Sequence, residues 1–210
     1  MHMQIGKCNS EELYNIIEKE KPEVIFEEFD ICRTEDVYYK NGHYKYQQNC
    51  SPETEAIMKY LEKNNVKHIP VDLCESSINP PNIYSRLSSV CIEYENMVKE
   101  NYILSCQNGF PYLNSEECSE TLEKILEFEK RIIKQLAEEN LTETYRLWRS
   151  TADNRDKEML KNIYDYSSKH NYTNAIFIIG AEHKKSILNK INEFNSKYNI
   201  EINWRSWRIA

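Results

Sequence analysis

The chain has 210 residues, 40% of them hydrophobic and 29% charged, with a net charge of −7. That balance excludes a disordered chain and suits one folded domain rather than two. The acidic excess argues against a general nucleic-acid-binding surface, and no apolar run approaches the roughly 18 residues of a membrane span.

Residues 9–22, NSEELYNIIEKEKP, read as a helix: Asn9 or Ser10 caps it, Glu11 and Glu12 suit its positive start, and Leu13, Ile16 and Ile17 share a face. EVIFEEFD, after Pro22, reads as a short buried strand ending in acid. The tyrosine-rich 37–48 segment predicts a hairpin around Asn41-Gly42 or a flap. SPETEAIMKYLEKNN is a helix with Ser51 as cap and Pro52 at its first position. VKHIPVDL is a second strand, placed at an edge or strand end by Pro70.

Residues 82–104, 115–140 and 153–169 have helical patterns, with an apolar stripe from Leu122 to Leu136. A strand over 174–180, a helix from about 183 to 198 and a final strand, IEINWRSWRI, complete the chain. Strands separated by helical crossovers imply an α/β fold with a mostly parallel central sheet of about four strands and helices on both faces. Residues 82–150 are expected to be a helical insertion or lid, and no linker divides residues 1–210, which are taken as a single domain. The seven cysteines are odd in number and include no CxxC pair. Since the first residues lack the order of a signal peptide, the expectation is reduced thiols in a cytoplasmic protein.

In such sheets ligands gather beyond the carboxyl ends of the strands, and polar clusters fall there. Glu27, Glu28, Asp30 and Arg33 follow the first strand; a carboxylate so placed suits general base work or metal binding, unless the acids are simply solvated. Gly180 permits a turn out of the 174–180 strand, and His183 would stand at the next helix start, where the dipole favours a neutral ring. Asp153 would cap the 153–169 helix, putting Arg155 in its first turn, where it needs an anionic partner or a surface pair with Glu158. Asp72 ends the second strand and borders the same region. His43, His68 and His170 have no ligand-like neighbours in sequence, and the arginines and tryptophans of the tail read as an edge strand guarded by charge.

KPEVIFEEFDICR (21–33), NRDKEM (154–159) and IFIIGAEHKKSI (176–187) occur in that order. Together they resemble the P-D-x-V-x-x-E-L-x-x-x-R, R-D/N-x-x-M and V-V-G-A-G-H-x-x-G-I motifs of the TraB/PrgY pheromone-shutdown family. The wider superfamily includes Tiki-type metalloproteases, erythromycin esterases and ChaN-like haem-binding proteins. The resemblance implies an α/β sheet with a polar site at its strand ends, and it carries over to Glu28, Arg33, Arg155, Gly180 and His183. Glu182 and Ser186 stand where the family has glycines. The family also opens with a strand ending in G-x-x-H; here His2 lies 26 residues before Glu28 without that strand. Three readings of this beginning stay open: a start at an internal methionine, a genuine short form, and a cloning remnant.

The resemblance implies a hydrolase of peptide or ester bonds. His2, Glu28 and His183 could hold a divalent ion (Zn, Mn, Co or Fe) that activates water. Without metal, His183 or His2 would be the general base, with Glu28 orienting it and Arg155 or Arg33 steadying negative charge. The alternative is a non-catalytic protein of the same fold that sequesters a peptide, small molecule or haem. The expected partner is a peptide or small-molecule ligand, with a homodimer as a further expectation and neither nucleic acid nor membrane.

Overall fold

The computed structural model describes residues 4–40, 43–44, 51–74 and 83–207. Helix α1 (Ser10–Glu20) starts where the Asn9 side chain accepts the N–H of Glu12, and ends at Lys21 in the left-handed region with φ 48°. Strand β1 (Val24–Asp30) follows, then a 3-10 turn (Ile31–Arg33), α2 (Thr34–Tyr38) and a short antiparallel pair, β2 (Tyr39–Lys40) with β3 (His43–Tyr44). This pair is the hairpin expected around residues 41–42, which themselves lie outside the described residues. Helix α3 (Pro52–Leu61), capped by Ser51, leads to β4 (Lys67–Asp72).

Four long helical stretches come next: α4 (Ile83–Val90), α5 (Ile92–Leu113), α6 (Glu116–Leu136) and α7 (Glu139–Ser167). Strand β5 (Ala175–Ile178) and helix α8 (Ala181–Tyr198) complete the regular elements. The main sheet is parallel, in the order β4-β1-β5. Pro70 is therefore tolerated as expected, because β4 is an edge.

Alternation along β1 builds two cores. Ile25 points to α1 and α3, joining Leu13, Ile17 and Ile57; Val24 and Phe26 point to α7 and α8, joining Met159, Leu160, Ile163 and Ile187. Full burial of each such side chain is worth roughly 1.5–3 kcal/mol. A third cluster (Ile83, Leu87, Tyr94, Ile125, Ile133, Tyr145) holds the helical insertion together. At its centre Glu129 is 3% exposed and accepts hydrogen bonds from the hydroxyls of Tyr94 (3.0 Å) and Tyr145 (3.1 Å). Burial dominates there and raises the Glu129 pKa.

Three expectations are corrected. Among the described residues the main sheet has three parallel strands rather than about four, because residues 201–207 take no regular secondary structure and join no ladder. Their exposure still alternates as a strand's would: Ile202 and Trp204 are half-buried while Glu201, Asn203 and Arg205 are exposed. Second, no helix begins at 153. Helix α7 runs unbroken through the polar stretch 150–154, with the Thr151 hydroxyl donating to the Leu147 carbonyl at 3.0 Å, so it belongs both to the insertion and to the sheet.

Third, Cys32 and Cys74 form a disulfide. Asp30 and Asp72 are partners in the β1–β4 register, so residues two further along each strand end beside one another, with Cα atoms 5.3 Å apart. Cys8, Cys91, Cys106 and Cys118 are free. The disulfide removes the uniform thiol state on which a cytoplasmic placement rested. Among the described residues no helix is long and apolar enough to cross a membrane.

Candidate functional site

Glu28 is the penultimate acidic position of β1 on the face shared with Val24 and Phe26, so its carboxylate emerges beneath α7 and α8. Its Oε2 accepts the Gly180 N–H at 2.7 Å, just past the end of β5. Its Oε1 accepts from Arg155 Nη2 at 2.6 Å and lies 3.3 Å from His183 Nε2. Arg155 also grips Asp72, with Nε 3.1 and 3.0 Å from the two carboxylate oxygens and Nη2 2.5 Å from Oδ2. His183 Nδ1 is 2.5 Å from Asp156 Oδ1. Lys190 closes the far end, 2.9 Å from Asp153 Oδ1 and 3.8 Å from Asp156 Oδ2.

The result is a chain of alternating charge drawn from two strand ends and two helices: Asp72, Arg155, Glu28, His183, Asp156, Lys190. With His183 protonated the six charges cancel. Burial opposes ionisation of Glu28, but the hydrogen bond and charge of His183, the Gly180 N–H and Arg155 outweigh it and hold the carboxyl at about 2. Burial likewise opposes the imidazolium, yet Asp156 and Glu28 push His183 up to about 10. Arg155 is raised by Asp72 and Glu28 against the opposing effect of burial. The neutral His183 expected from the helix dipole is thus overturned, since two carboxylates at contact distance outweigh partial charges at a helix start.

Glycine at 180 has a different role from the turn expected of it. Its φ of −61° is open to any residue. What it provides is space: a Cβ there would lie 3.3 Å from Glu28 Oε2 and 3.6 Å from His183 Cδ2.

Of the residues singled out in the sequence, Glu28, Arg155, His183 and Asp72 converge. Arg155 does so from the middle of α7 and not from a first turn, and Glu158 pairs with Lys161 instead. Arg33 remains exposed at the end of the 3-10 turn, with no ion pair among the described residues. His2 lies outside the described residues. Glu27 and Glu28 are not simply solvated: beside the pairing of Glu28, Glu27 is 2% exposed on the opposite face, where it accepts from the Tyr38 hydroxyl (2.6 Å to Oε2) and meets His68 Nε2 at 2.9 Å.

Both ring nitrogens of His183 and both oxygens of Glu28 are committed to protein partners. As arranged, these residues do not fit a divalent ion or haem, and no step is routed through either.

Asp156 is the residue sequence reasoning passed over, although it stands inside the quoted NRDKEM. Its signal is periodicity: 156, 159, 160, 163 and 164 form the buried stripe of α7, and Asp156 is the charged member. An acid on an apolar stripe needs a cationic partner.

The cluster opens into a cavity of about 1810 Å³ that runs from residues 170–174, along β5, to Glu28, Arg155 and His183. Comparison of the chain with protein-family models, curated proteins and solved structures finds no match.

Proposed function

We propose that the chain is a hydrolase of peptide or ester bonds, as its resemblance to the TraB/PrgY family implies, working at the Glu28–His183 dyad. One observation carries the reading: a strand-end carboxylate and a histidine ring nitrogen share a 3.3 Å contact in the lining of a large cavity. Each is held in the protonation state opposite to its role's product. Water adds to the substrate carbonyl and gives a proton to Glu28, while His183 gives its Nε2 proton to the departing nitrogen or oxygen. Glu28 then returns its proton to His183, which restores the resting pair. Asp156 holds the ring and compensates its charge, and Arg155 fixes Glu28 and faces negative charge on the carbonyl oxygen.

The resting ion pair makes Glu28 a weak base and His183 a weak acid, so substrate must loosen their contact for turnover. Activity requires ionised Glu28 and protonated His183, which gives a broad pH plateau bounded by their pKa values of about 2 and about 10. A panel of fluorogenic esters and peptides tests this. Hydrolysis that falls at least a hundredfold in both Glu28→Gln and His183→Gln supports it, and activity unchanged in either variant refutes it.

The second reading is a non-catalytic binder of a peptide or small molecule in the same cavity. The observation in its favour is that all six charges of the cluster are already matched internally, as in a structural network. Saturable ligand binding with no turnover of any panel member would select it.

A further inference from the structure

Outside the Glu28–His183 network, the carboxyl ends of β1 and β4 bring Asp30, Cys32 and Cys74 together. A carboxylate oxygen and the two sulfurs all lie within 4.8 Å of one another. Both cysteines are exposed, so their bond is open to attack by a thiolate from solution. Asp30 is fixed where it stands: its Oδ1 accepts the Cys32 N–H at 2.8 Å, and the Thr34 hydroxyl donates to its carbonyl at 3.2 Å. Among the described residues its Oδ2 takes part in no hydrogen bond.

Reduction changes what this corner needs. A dithiol reductant gives up two hydrogens and two electrons, closes to its own disulfide, and leaves Cys32 and Cys74 as two thiols. Two thiols that ionise beside a carboxylate put three negative charges together, which repel one another unless a cation joins them. Two sulfurs and one oxygen select a borderline-soft ion such as zinc over magnesium or calcium, which take oxygen ligands. Zinc holds thiolates at about 2.3 Å and a carboxylate oxygen at about 2.1 Å in a tetrahedron, so its ligand atoms stand roughly 3.6–3.8 Å apart. Cysteine Cα atoms 5.3 Å apart allow that spacing by side-chain rotation once the bond is broken. The Cys32 N–H then orients the ligating carboxylate from behind.

We propose that Asp30, Cys32 and Cys74 form a zinc site in the reduced protein, with water in the fourth position. The ends of β1 and β4 are then joined by a disulfide under oxidising conditions and by zinc under reducing ones. Zn²⁺ displaces one proton from each thiol and binds the two thiolates with no change of oxidation state. Either link lies two residues beyond Asp72, the anchor of Arg155, and so holds the same strand end in both redox environments. The inference does not depend on the hydrolase reading.

The test uses the whole chain, reduced with a water-soluble phosphine, which adds no thiol to compete for metal, and desalted without air. Zn²⁺ is titrated against a chromophoric chelator, and Co²⁺ serves as a spectroscopic probe. Expected for the reduced chain are one zinc per chain, a thiolate-to-cobalt charge-transfer band, and a denaturation midpoint that rises with zinc. The oxidised chain binds zinc at least a hundredfold more weakly. Asp30→Asn keeps the turn, because asparagine caps as well as aspartate, and weakens zinc binding at least tenfold. Cys32→Ser/Cys74→Ser retains the four free cysteines, so its zinc uptake measures theirs alone, and it loses the high-affinity site. Equal binding by the oxidised chain or by the double variant overturns the proposal, as does undiminished binding in Asp30→Asn. One zinc shared between two chains, or no uptake by the reduced chain, overturns it too. Should the reduced chain unfold without metal, zinc that fails to restore its circular dichroism has the same force.

Discussion

Asp156 Oδ1 lies 2.5 Å from His183 Nδ1, and this contact turns the other ring nitrogen toward Glu28. Asp156 is 3% exposed on the apolar stripe of α7, so its charge is sustained by His183, with Lys190 farther off. Removing the charge should therefore be felt first by the imidazole. In Asp156→Asn the His183 pKa should fall from about 10 toward its ordinary 6.5, as read from NMR titration of the ring. A value unmoved by the substitution would assign the shift to Glu28 alone. Asp156→Ala, which also leaves the buried Nδ1–H of His183 without its acceptor, should cost about 3 kcal/mol in chemical denaturation.

Stability should depend on pH in a specific way. His183 is raised in the fold from 6.5 to about 10, so its contribution is complete below pH 6.5 and is lost as pH rises toward 10. Glu28 is lowered from 4.5 to about 2, so its contribution is complete above pH 4.5 and is lost as pH falls toward 2. These two groups place maximal stability between pH 4.5 and 6.5. Denaturation midpoints across pH 3–10 should show that maximum, and Asp156→Asn should flatten its alkaline side. A midpoint that keeps rising to pH 9 in the native chain would contradict the charge assignment.

What the sequence made legible was local. Caps at Asn9 and Ser51, the apolar run 175–179 and the acidic end of β1 each follow from a few neighbouring residues, and their elements form where expected. What it hid was register. Cys32 and Cys74 meet because β1 and β4 align Asp30 with Asp72, a pairing across 42 residues that no local pattern encodes. Helix α7 was misread for the opposite reason: serine, threonine, aspartate and asparagine near 150–154 are the residues of a helix start, and tertiary packing carried the helix through them. Charge on His183 was misjudged because the helix dipole is visible in sequence, whereas the two carboxylates arrive from β1 and α7.

Gly180→Ala should separate site geometry from fold. The backbone there tolerates alanine, with φ at −61°, but the new methyl would press on Glu28 Oε2 from 3.3 Å. The thermal midpoint should change little, whereas the hydrolysis proposed for the Glu28–His183 dyad should drop on the order of tenfold through misplacement of the carboxylate. If instead the variant unfolds with activity intact per folded molecule, the glycine serves packing and not the dyad.

Reduction should loosen the same strand ends from the other side. The Cys32–Cys74 bond closes 42 residues of sequence that contain α3 and the β2–β3 hairpin, and its β4 end lies two residues beyond Asp72, the anchor of Arg155. In the chain-entropy treatment a loop of that length is worth about 4 kcal/mol relative to the open chain. Reductant should thus lower the denaturation midpoint of the native chain and leave a Cys32→Ser/Cys74→Ser double variant unchanged. The variant should match the reduced protein in stability. Because both cysteines are exposed, the effect should appear under native conditions, without prior unfolding. If reductant instead acts equally on both proteins, the stabilising bond is not the one between the ends of β1 and β4.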